Sequence, residues 1–267
     1  SIRTVSYDDI NFFIPSLAKK PYDFTMRVFK EPFTITERQE YRDRLEAIDK
    51  KEKMQNEDGS PVFTTTEIGQ MKADLDEWAQ TYRWDVNWQG QREKDLWPIL
   101  RIVRGCSNVL WEREQEAQRS KEELTELEQA VIGAHFVNMI SGIGRLCYRS
   151  NKGMMPVCPY FLEDDIPDEK QATGGSGKSI IVKLVVGSAV HVLDVDMKRF
   201  VSVTDAKFEL GILSSEPYKY RVLHWEDKPK SFPMKYFYNM VTSCLTVERK
   251  NVDPVTFSAE EAPKSVI

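Results

Sequence analysis

The stretch DEKQATGGSGKSIIVKL, residues 168–184, decides how the fold of this chain is predicted. Three glycines within four positions are followed by Lys178 and Ser179, and then by an apolar segment that is compatible with a helix. A tight glycine turn at the start of a helix directs backbone N–H groups inward, where they and the helix dipole can hold a phosphate. The alternative is a flexible Gly/Ser turn, which would not require a lysine and a serine directly before an apolar helix.

The spacing is that of a phosphate-binding loop, whose pattern is GxxxxGK[ST]. Its eight positions run from Ala172 to Ser179, with alanine in place of the first glycine. In such a loop the lysine neutralises the β- and γ-phosphates and the hydroxyl holds Mg²⁺, so ATP and Mg²⁺ are the expected cofactors. The predicted nucleotide-binding residues are Thr173, Gly174, Gly175, Ser176, Gly177, Lys178 and Ser179.

A second part of the site is predicted at YRVLHWEDKPKSF, residues 220–232. Its first six residues have the mostly apolar pattern of a strand, and Glu226 and Asp227 follow at the tip. An ATPase with a phosphate-binding loop needs an acidic residue near the phosphates to organise Mg²⁺ and the attacking water. We predict catalytic roles for Lys178, Glu226 and Asp227. Glu226 would polarise water, and Ser179 and Asp227 would hold Mg²⁺.

The bulk composition sets wider limits on the fold and the partners. A length of 267 residues with 41% hydrophobic residues suits one large or two ordinary domains with a substantial core. The net charge of −5 argues against a wholly basic nucleic-acid surface but is compatible with a local basic site. Four scattered cysteines without a CxxC pair indicate reduced thiols in the cytoplasm. We expect no membrane partner, because no apolar run approaches the ~20 residues that cross a bilayer.

Helical patterns dominate the chain before about residue 153. Capping boxes are predicted at Thr36–Gln39 and Ser120–Glu123, and another helix is expected to start near Thr64–Thr66. This region also holds five tryptophans, which are interpreted as core or subunit-contact residues, with stacking on nucleic-acid bases as the alternative. They are Trp78, Trp84, Trp88, Trp97 and Trp111.

Short β-prone runs replace the helical pattern after residue 153: VCPYFL, AVHVLDVD, YRVLHW and LTVERK. Strands that alternate with helical or loop connections predict an α/β domain, in which IIVKLVV is a buried helix. Asp194 and Asp196 alternate with apolar residues and are interpreted as one face of a strand. His224, inside YRVLHW, is interpreted as packed or incidental.

Three segments of the second half resemble the ATPase core of superfamily three helicases: GGSGKS, VLHWEDKPKSF and KYFYNMVTSCLTVERKNVDPVTFSAEEAPKSVI. The resemblance covers roughly residues 125–267. Within that family, this part of the chain is similar in particular to helicases or primase-helicases of phages and mobile elements. The resemblance implies an AAA+-like phosphate-loop core of α/β class. It also implies a homohexameric ring that translocates on DNA during replication in the cytoplasm of a bacterial host.

The resemblance further implies a hairpin that projects basic residues into the channel of the ring. Arg249 and Lys250 map to this hairpin, and Lys228 and Lys230 lie near it in sequence. Residues 219–250 contain seven Lys/Arg and three acids, a local excess of +4 in an acidic chain. Such a patch suits the path of single-stranded DNA. The alternative is a solvated strand edge that lysines protect from pairing.

We predict three regions and two competing functions. Residues 1–120 form a mainly helical region of unknown role, 121–155 a helical collar-like segment, and 156–267 the ATPase core. The family continues with a sensor asparagine and an arginine finger where this sequence stops, so we expect either a chain truncated at its C-terminus or one that lacks competent hydrolysis. The first hypothesis is an ATP-dependent DNA helicase. The second is a scaffold that binds nucleotide and DNA without unwinding.

Overall fold

The computed structural model describes residues 33–88, 98–148, 158–161, 177–197, 206–207, 209–216, 219–226 and 232–267. The chain divides into two compact units, and the division falls between Ile140 and Ser141. Both units combine helices with strands in their described parts. Each unit is described by itself below.

The first unit holds a small antiparallel sheet and most of the helices. Strand β1 (Thr34–Glu37) pairs with β2 (Trp84–Asn87), with Thr34 opposite Asn87. The helices are α1 (Gln39–Glu52), α2 (Thr65–Tyr82), α3 (Pro98–Ser107), α4 (Trp111–Ser120) and α5 (Glu126–Cys147), the last of which contains the division between the units.

Helices α1 and α2 pack against each other through four buried side chains. Tyr41 and Ile48 come from α1, and Ile68 and Leu75 come from α2. Helix α2 starts with a capping box, in which the Glu67 N–H donates to the Thr64 hydroxyl at 3.2 Å and the Thr64 N–H donates to the Glu67 carboxylate at 2.8 Å. The predicted start near Thr64–Thr66 is therefore confirmed.

The two capping boxes predicted elsewhere are wrong. Thr36 lies inside β1 opposite Asp85, because strand pairing takes its backbone, and α1 begins after Arg38. Ser120 is the last residue of α4, and its hydroxyl donates back to the Glu116 carbonyl at 3.0 Å. The box before α5 is formed by the next S/T-x-x-E match, Thr125 with Glu128.

Three of the five tryptophans are partly buried, in line with the core interpretation. The Trp88 ring lies 4.8 Å from the Phe136 ring, and the Trp78 ring stacks on Tyr82 at 5.4 Å. Trp111 is half exposed at the start of α4. Trp97 lies outside the described residues.

Helix α5 differs from the expectation that no apolar segment of this chain approaches the length of a membrane span. It is long and apolar enough to cross a membrane by length and composition, with a mean hydropathy of 1.3 in its best window. The expectation that no apolar segment approaches this length is therefore wrong. Ala130, Phe136 and Val137 are nevertheless buried, and buried core helices satisfy the same criterion.

The second unit contains a parallel sheet and an antiparallel hairpin. Its strands are β3 (Val192–Asp196), β4 (Val222–Glu226), β5 (Cys244–Arg249), β6 (Val252–Ser258) and β7 (Lys264–Val266). The parallel sheet has the order β3-β4-β7, with Asp196 opposite Glu226 and Val266 opposite His224. The strands predicted in AVHVLDVD, YRVLHW and LTVERK are confirmed.

Residues 158–161 lie beside β7, on the side away from β4. The Phe161 N–H donates to the Ile267 carbonyl at 2.8 Å, and the Ile267 N–H donates to the Pro159 carbonyl at 3.1 Å. Ile267 thus bonds to both Pro159 and Phe161, two residues apart on the other segment, which is the hydrogen-bond pattern of a parallel pair of strands. These residues, part of the predicted run VCPYFL, therefore continue the parallel sheet by one ladder step.

Strand β4 is covered on both faces. Val222 packs with Val182 and Val186 on one face, and Leu223 and Trp225 belong to a separate buried cluster on the other. The second cluster also includes side chains from β3, from a 3₁₀-helix (Leu210–Ser214), from α7 (Met234–Thr242) and from the β5–β6 hairpin. A near-continuous apolar run is typical of a parallel strand buried on both sides.

The predicted helix IIVKLVV is present, but its form differs from the expectation. Helix α6 (Lys178–Ile180) continues directly as a π-helix (Ile181–Val186), and the Gly187 N–H donates to the Val182 carbonyl at 2.9 Å. Val182 and Val186 are fully buried, whereas Leu184 is half exposed. The helix is thus buried along one side. Its wide turn shifts the residues that follow Val182 relative to their positions in a regular α-helix.

All four cysteines carry free thiols. Burial raises the pKa of Cys106, raises that of Cys147 to about 11, and raises that of Cys158 to about 12. Cys244 is exposed at the start of β5, opposite Ser258 of β6.

We predict that Gly187→Ala destabilises the second unit. A Cβ at this position would run into the Lys183 carbonyl oxygen, with the carbonyl carbon at 3.1 Å. The clash with rigid backbone should lower the free energy of unfolding by about 1–3 kcal/mol. Urea denaturation followed by circular dichroism measures the loss.

The matched control is Gly144→Ala in α5, where a Cβ meets nothing within 4 Å. Alanine there should leave the stability unchanged or raise it by up to about 1 kcal/mol. Equal stability of the two variants would contradict the requirement for glycine at the end of the π-helix.

We predict a second stability effect at Lys264, which is buried on β7 and donates a hydrogen bond to the Tyr148 carbonyl. Burial, with the nearby positive charges of Arg145 and Arg221, lowers the Lys264 pKa from 10.5 to about 8. Between these values the unfolded chain holds a proton that the folded chain lacks, so stability should rise with pH across this window. Below about pH 8 the amine is charged in both the folded and the unfolded chain, so the free-energy cost of burying the charge is present in full and no longer changes with pH.

Lys264→Met should remove this rise. Relative to the variant, the wild type should gain up to about 1.4 kcal/mol of unfolding free energy per pH unit above about pH 8, measured by urea denaturation. The exposed Lys219, paired with Glu216 at 2.9 Å, supplies the control Lys219→Met, which should keep the slope. Parallel pH profiles of the wild type and Lys264→Met would contradict the assignment.

Candidate functional site

The candidate site lies at the carboxyl end of the central strand of the parallel sheet. Glu226 is the last residue of β4, and the start of α6 lies beside it. In open parallel sheets, ligands bind in the crevice beyond the carboxyl ends of the strands. A cavity of about 210 Å³ is found at this position. It is lined by Tyr160, Phe161, Lys178, Ser179, His224, Trp225, Glu226 and Ile267.

Gly177 shapes the chain immediately before the helix. Its φ of 83° and ψ of 2° are left-handed, a conformation that glycine adopts without steric cost. The Gly177 carbonyl then accepts the Ile181 N–H at 3.0 Å, so Lys178 and Ser179 occupy the first two helical positions. Lys178 and Ser179, the predicted phosphate-binding lysine and cation-binding serine, therefore begin a helix directly after a left-handed glycine.

Ser179 and Glu226 meet across the crevice. The Ser179 hydroxyl donates to Glu226 Oε1 at 3.4 Å, although the two residues are 47 positions apart in the chain. A hydroxyl and a carboxylate are the oxygen ligands that Mg²⁺ prefers. The donor chemistry therefore fits a magnesium ion between α6 and β4. Glu226, which we predict to polarise water, lies next to the serine that we predict to hold the cation.

Lys183 places an ammonium group in the same site. Its Nζ lies 2.7 Å from Glu226 Oε1 and 3.7 Å from Asp194 Oδ2. The hydrogen bond to Glu226 is the main cause of a raised Lys183 pKa, so the side chain is charged at neutral pH. The amine reaches both acids from the π-helix.

His224 and Asp194 form the inner part of the site. His224 Nδ1 lies 2.7 Å from Asp194 Oδ1, and an ionised carboxylate can only accept, so Nδ1 donates the proton. The same nitrogen lies 3.9 Å from Glu226 Oε1. The His224 side chain is only 7% exposed, against 44% for Asp194. His224 is thus fixed between two strands and holds Asp194 in place.

Asp194, His224 and Glu226 also satisfy the distance requirement for a shared metal ion, since one ligand atom of each lies within 4.8 Å of the others. The Lys183 ammonium, however, already stands between the two carboxylates. In the described residues, one internal cation therefore offsets part of the negative charge of this cluster.

The structure brings together some of the predicted site residues. Gly177, Lys178, Ser179 and Glu226 converge on the cavity or border it. Seven other predicted site residues lie outside the described residues: Thr173, Gly174, Gly175, Ser176, Asp227, Lys228 and Lys230.

The sequence interpretation missed three residues of the site. The sequence pattern predicts a buried helix around Lys183, a strand face at Asp194 and a packed or incidental role for His224. The available signal was a polar residue inside an otherwise apolar strand, since a buried polar side chain is the informative exception. The parallel register that places Asp194 opposite His224 was not predictable from either strand alone.

The predicted basic hairpin is also present. Strands β5 and β6 pair antiparallel, with Leu245 opposite Phe257. Arg249 and Lys250 lie exposed at the tip, next to Asn251 with its left-handed φ of 62°. The tip offers two exposed positive charges at the end of a paired, two-stranded hairpin.

Comparisons with known proteins add no family to this description. They found no matching family model, no matching curated protein and no matching solved structure.

Proposed function

We propose that the second unit is an ATPase core of the superfamily three helicase type, part of a DNA helicase or primase-helicase in phage or mobile-element replication. The observation that carries the proposal is the meeting of Ser179, at the start of the helix after the glycine loop, with Glu226, at the end of a parallel strand. A phosphate loop and an acidic strand end must converge in this way to share a cation with a nucleotide.

The order of the elements supports the same proposal. Residues 158–161 continue the parallel sheet, the glycine-rich stretch follows, and α6 with its π-helix then packs on the face of the sheet that contains Val222. A strand, a glycine loop and a helix in this order form the context that gives the GxxxxGK[ST] pattern its meaning.

Each residue then has a defined task. Lys178 neutralises the β- and γ-phosphates, and the backbone amides of Gly174–Gly177 cradle them. Ser179 and Glu226 hold the cation, and Asp227 keeps its predicted place among the catalytic acids. Bound Mg²⁺ supplies charge neutralisation between the β- and γ-phosphate oxygens.

A second candidate, binding of nucleotide and DNA without unwinding, is favoured by one contact. The Lys183 ammonium lies 2.7 Å from Glu226 Oε1. While this ion pair persists, the carboxylate is held by a lysine and is less able to polarise water or to hold a cation. A chain in which the pair never opens would bind ATP and not hydrolyse it.

The proposed partner is single-stranded or forked DNA, contacted by Arg249 and Lys250 at the hairpin tip. Exposed cations on a rigid support suit contacts to phosphates, which depend on charge and not on sequence. Lys228 and Lys230 join this surface by sequence proximity alone. The proposed working assembly is a homohexamer around the strand.

We predict that ATP turnover, if the helicase proposal holds, is stimulated by single-stranded DNA and lost in Lys178→Ala. The lysine charge acts on the phosphates, so the variant should bind a fluorescent ATP analogue at least about tenfold more weakly. A coupled phosphate-release assay with and without DNA measures turnover. Lys219→Ala, which removes an exposed lysine paired with Glu216, is the control.

Each outcome selects one reading. DNA-stimulated turnover supports the helicase, and nucleotide binding without turnover supports the scaffold. Unchanged nucleotide affinity in Lys178→Ala would remove the phosphate-loop assignment altogether.

We predict that replacing Arg249 and Lys250 with alanine weakens single-stranded DNA binding equally at every sequence. Each lost phosphate contact should flatten the log–log dependence of affinity on salt by about 0.7, as measured by fluorescence anisotropy at several salt concentrations. The matched control replaces Lys50 and Lys51, an adjacent exposed pair on α1. An unchanged slope in the hairpin variant would show that the tip does not face the strand.

A further inference from the structure

Lys183 stands out because one ammonium faces two carboxylates in a site proposed to hold a cation. Its Nζ is 2.7 Å from Glu226 Oε1 and 3.7 Å from Asp194 Oδ2. The shorter contact is a full hydrogen-bonded ion pair, and the longer one is at the limit of an ion pair. Small torsional changes in a four-carbon side chain would exchange them.

The backbone around Lys183 is fixed, so the side chain alone can make this exchange. Val182 and Val186 on either side are fully buried. The Gly187 N–H closes the wide turn on the Val182 carbonyl. The Lys183 side chain itself is 45% exposed and can rotate.

The two acceptors are fixed as well. Asp196 pairs with Glu226 and Asp194 with His224 in the parallel register of β3 and β4, which puts both carboxylates on one face of the sheet. His224 donates to Asp194 and holds it. The lysine thus faces two anions on one face of the sheet, within ion-pair distance of each.

Three groups contact a single oxygen of Glu226. Oε1 lies 3.4 Å from the Ser179 hydroxyl, 2.7 Å from Lys183 Nζ and 3.9 Å from His224 Nδ1. A divalent cation that approaches from Ser179 reaches this oxygen first and finds an ammonium already bound to it. Two cations at such a distance repel strongly.

We infer that Lys183 is a positioning residue that competes with the divalent cation for Glu226, and that Asp194 is the acceptor to which the ammonium withdraws. The inference rests on the proposed function only for the identity of the cation, Mg²⁺ accompanying a nucleotide. It adds that the Lys183 ammonium occupies Glu226 until a divalent cation displaces the ammonium.

The experiment titrates the intact protein with Mn²⁺ alone and measures free Mn²⁺ by electron paramagnetic resonance. Mn²⁺ accepts the same oxygen ligands as Mg²⁺, and neither nucleotide nor turnover is needed. Lys183→Met removes the competitor and should tighten Mn²⁺ binding roughly fivefold. Asp194→Asn removes the alternative acceptor while keeping an oxygen for His224, and should weaken Mn²⁺ binding roughly threefold.

The double variant decides whether Asp194 acts through Lys183. If it does, adding Asp194→Asn to Lys183→Met should leave the Mn²⁺ affinity within error of Lys183→Met, whereas a direct charge effect of Asp194 would persist in the double variant. Lys219→Met, which removes a lysine of matching exposure beside Glu216, should leave the affinity unchanged.

The outcomes separate this inference from the proposed function. Opposite shifts in the two single variants, with the double variant matching Lys183→Met, support the competition whether or not ATP is hydrolysed. Weaker or unchanged binding in Lys183→Met overturns it, even if ATP binds with Mg²⁺. A common loss of stability would weaken binding in both single variants and so cannot imitate the opposite signs.

Discussion

The parallel pairing of β3 with β4 is the constraint on which the rest of the site depends. It aligns Asp194 with His224 and Asp196 with Glu226, so polar side chains from two distant segments share one face of the sheet. The apolar residues of β4 are buried in cores on both faces and lock this register, since a shift by one residue would turn every side chain to the opposite face. The acidic strand end can then meet α6 at a fixed distance.

The sequence predicted the parts of this site that depend on local pattern. The turn at Gly177, the helix after it and the acidic end of β4 each follow from neighbouring residues, and Ser179 and Glu226 do lie together. The capping boxes at Thr36 and Ser120 failed because one S/T-x-x-E/Q match cannot be distinguished from another without knowing which segment pairs or ends. The π-helix was not predictable, because IIVKLVV has no feature that sets an α-helix apart from a wider one.

The network around Glu226 could not be read from the sequence for a different reason. Lys183, Asp194 and His224 belong to three elements. Their contacts arise only when the sheet has formed and the π-helix that carries Lys183 has packed on it. A charged pair in a partly exposed crevice gains little stability by itself. The Lys183–Glu226 ion pair matters because Glu226 is the acid of the proposed cation site. The same contact is therefore compatible with a resting ATPase, in which the pair can open, and with a scaffold, in which it does not.

The contrast among the four thiols has a practical consequence. Burial suppresses the thiolate form of Cys106, Cys147 and Cys158, whereas Cys244 is exposed at the start of β5. Because the thiolate is the reacting species, a maleimide dye at neutral pH should attach first to Cys244. The unaltered chain therefore carries a natural labelling position at the base of the hairpin, six residues or fewer from Arg249 and Lys250 along the chain. A fluorophore there would test, without any engineered cysteine, whether a nucleic acid strand reaches the hairpin tip.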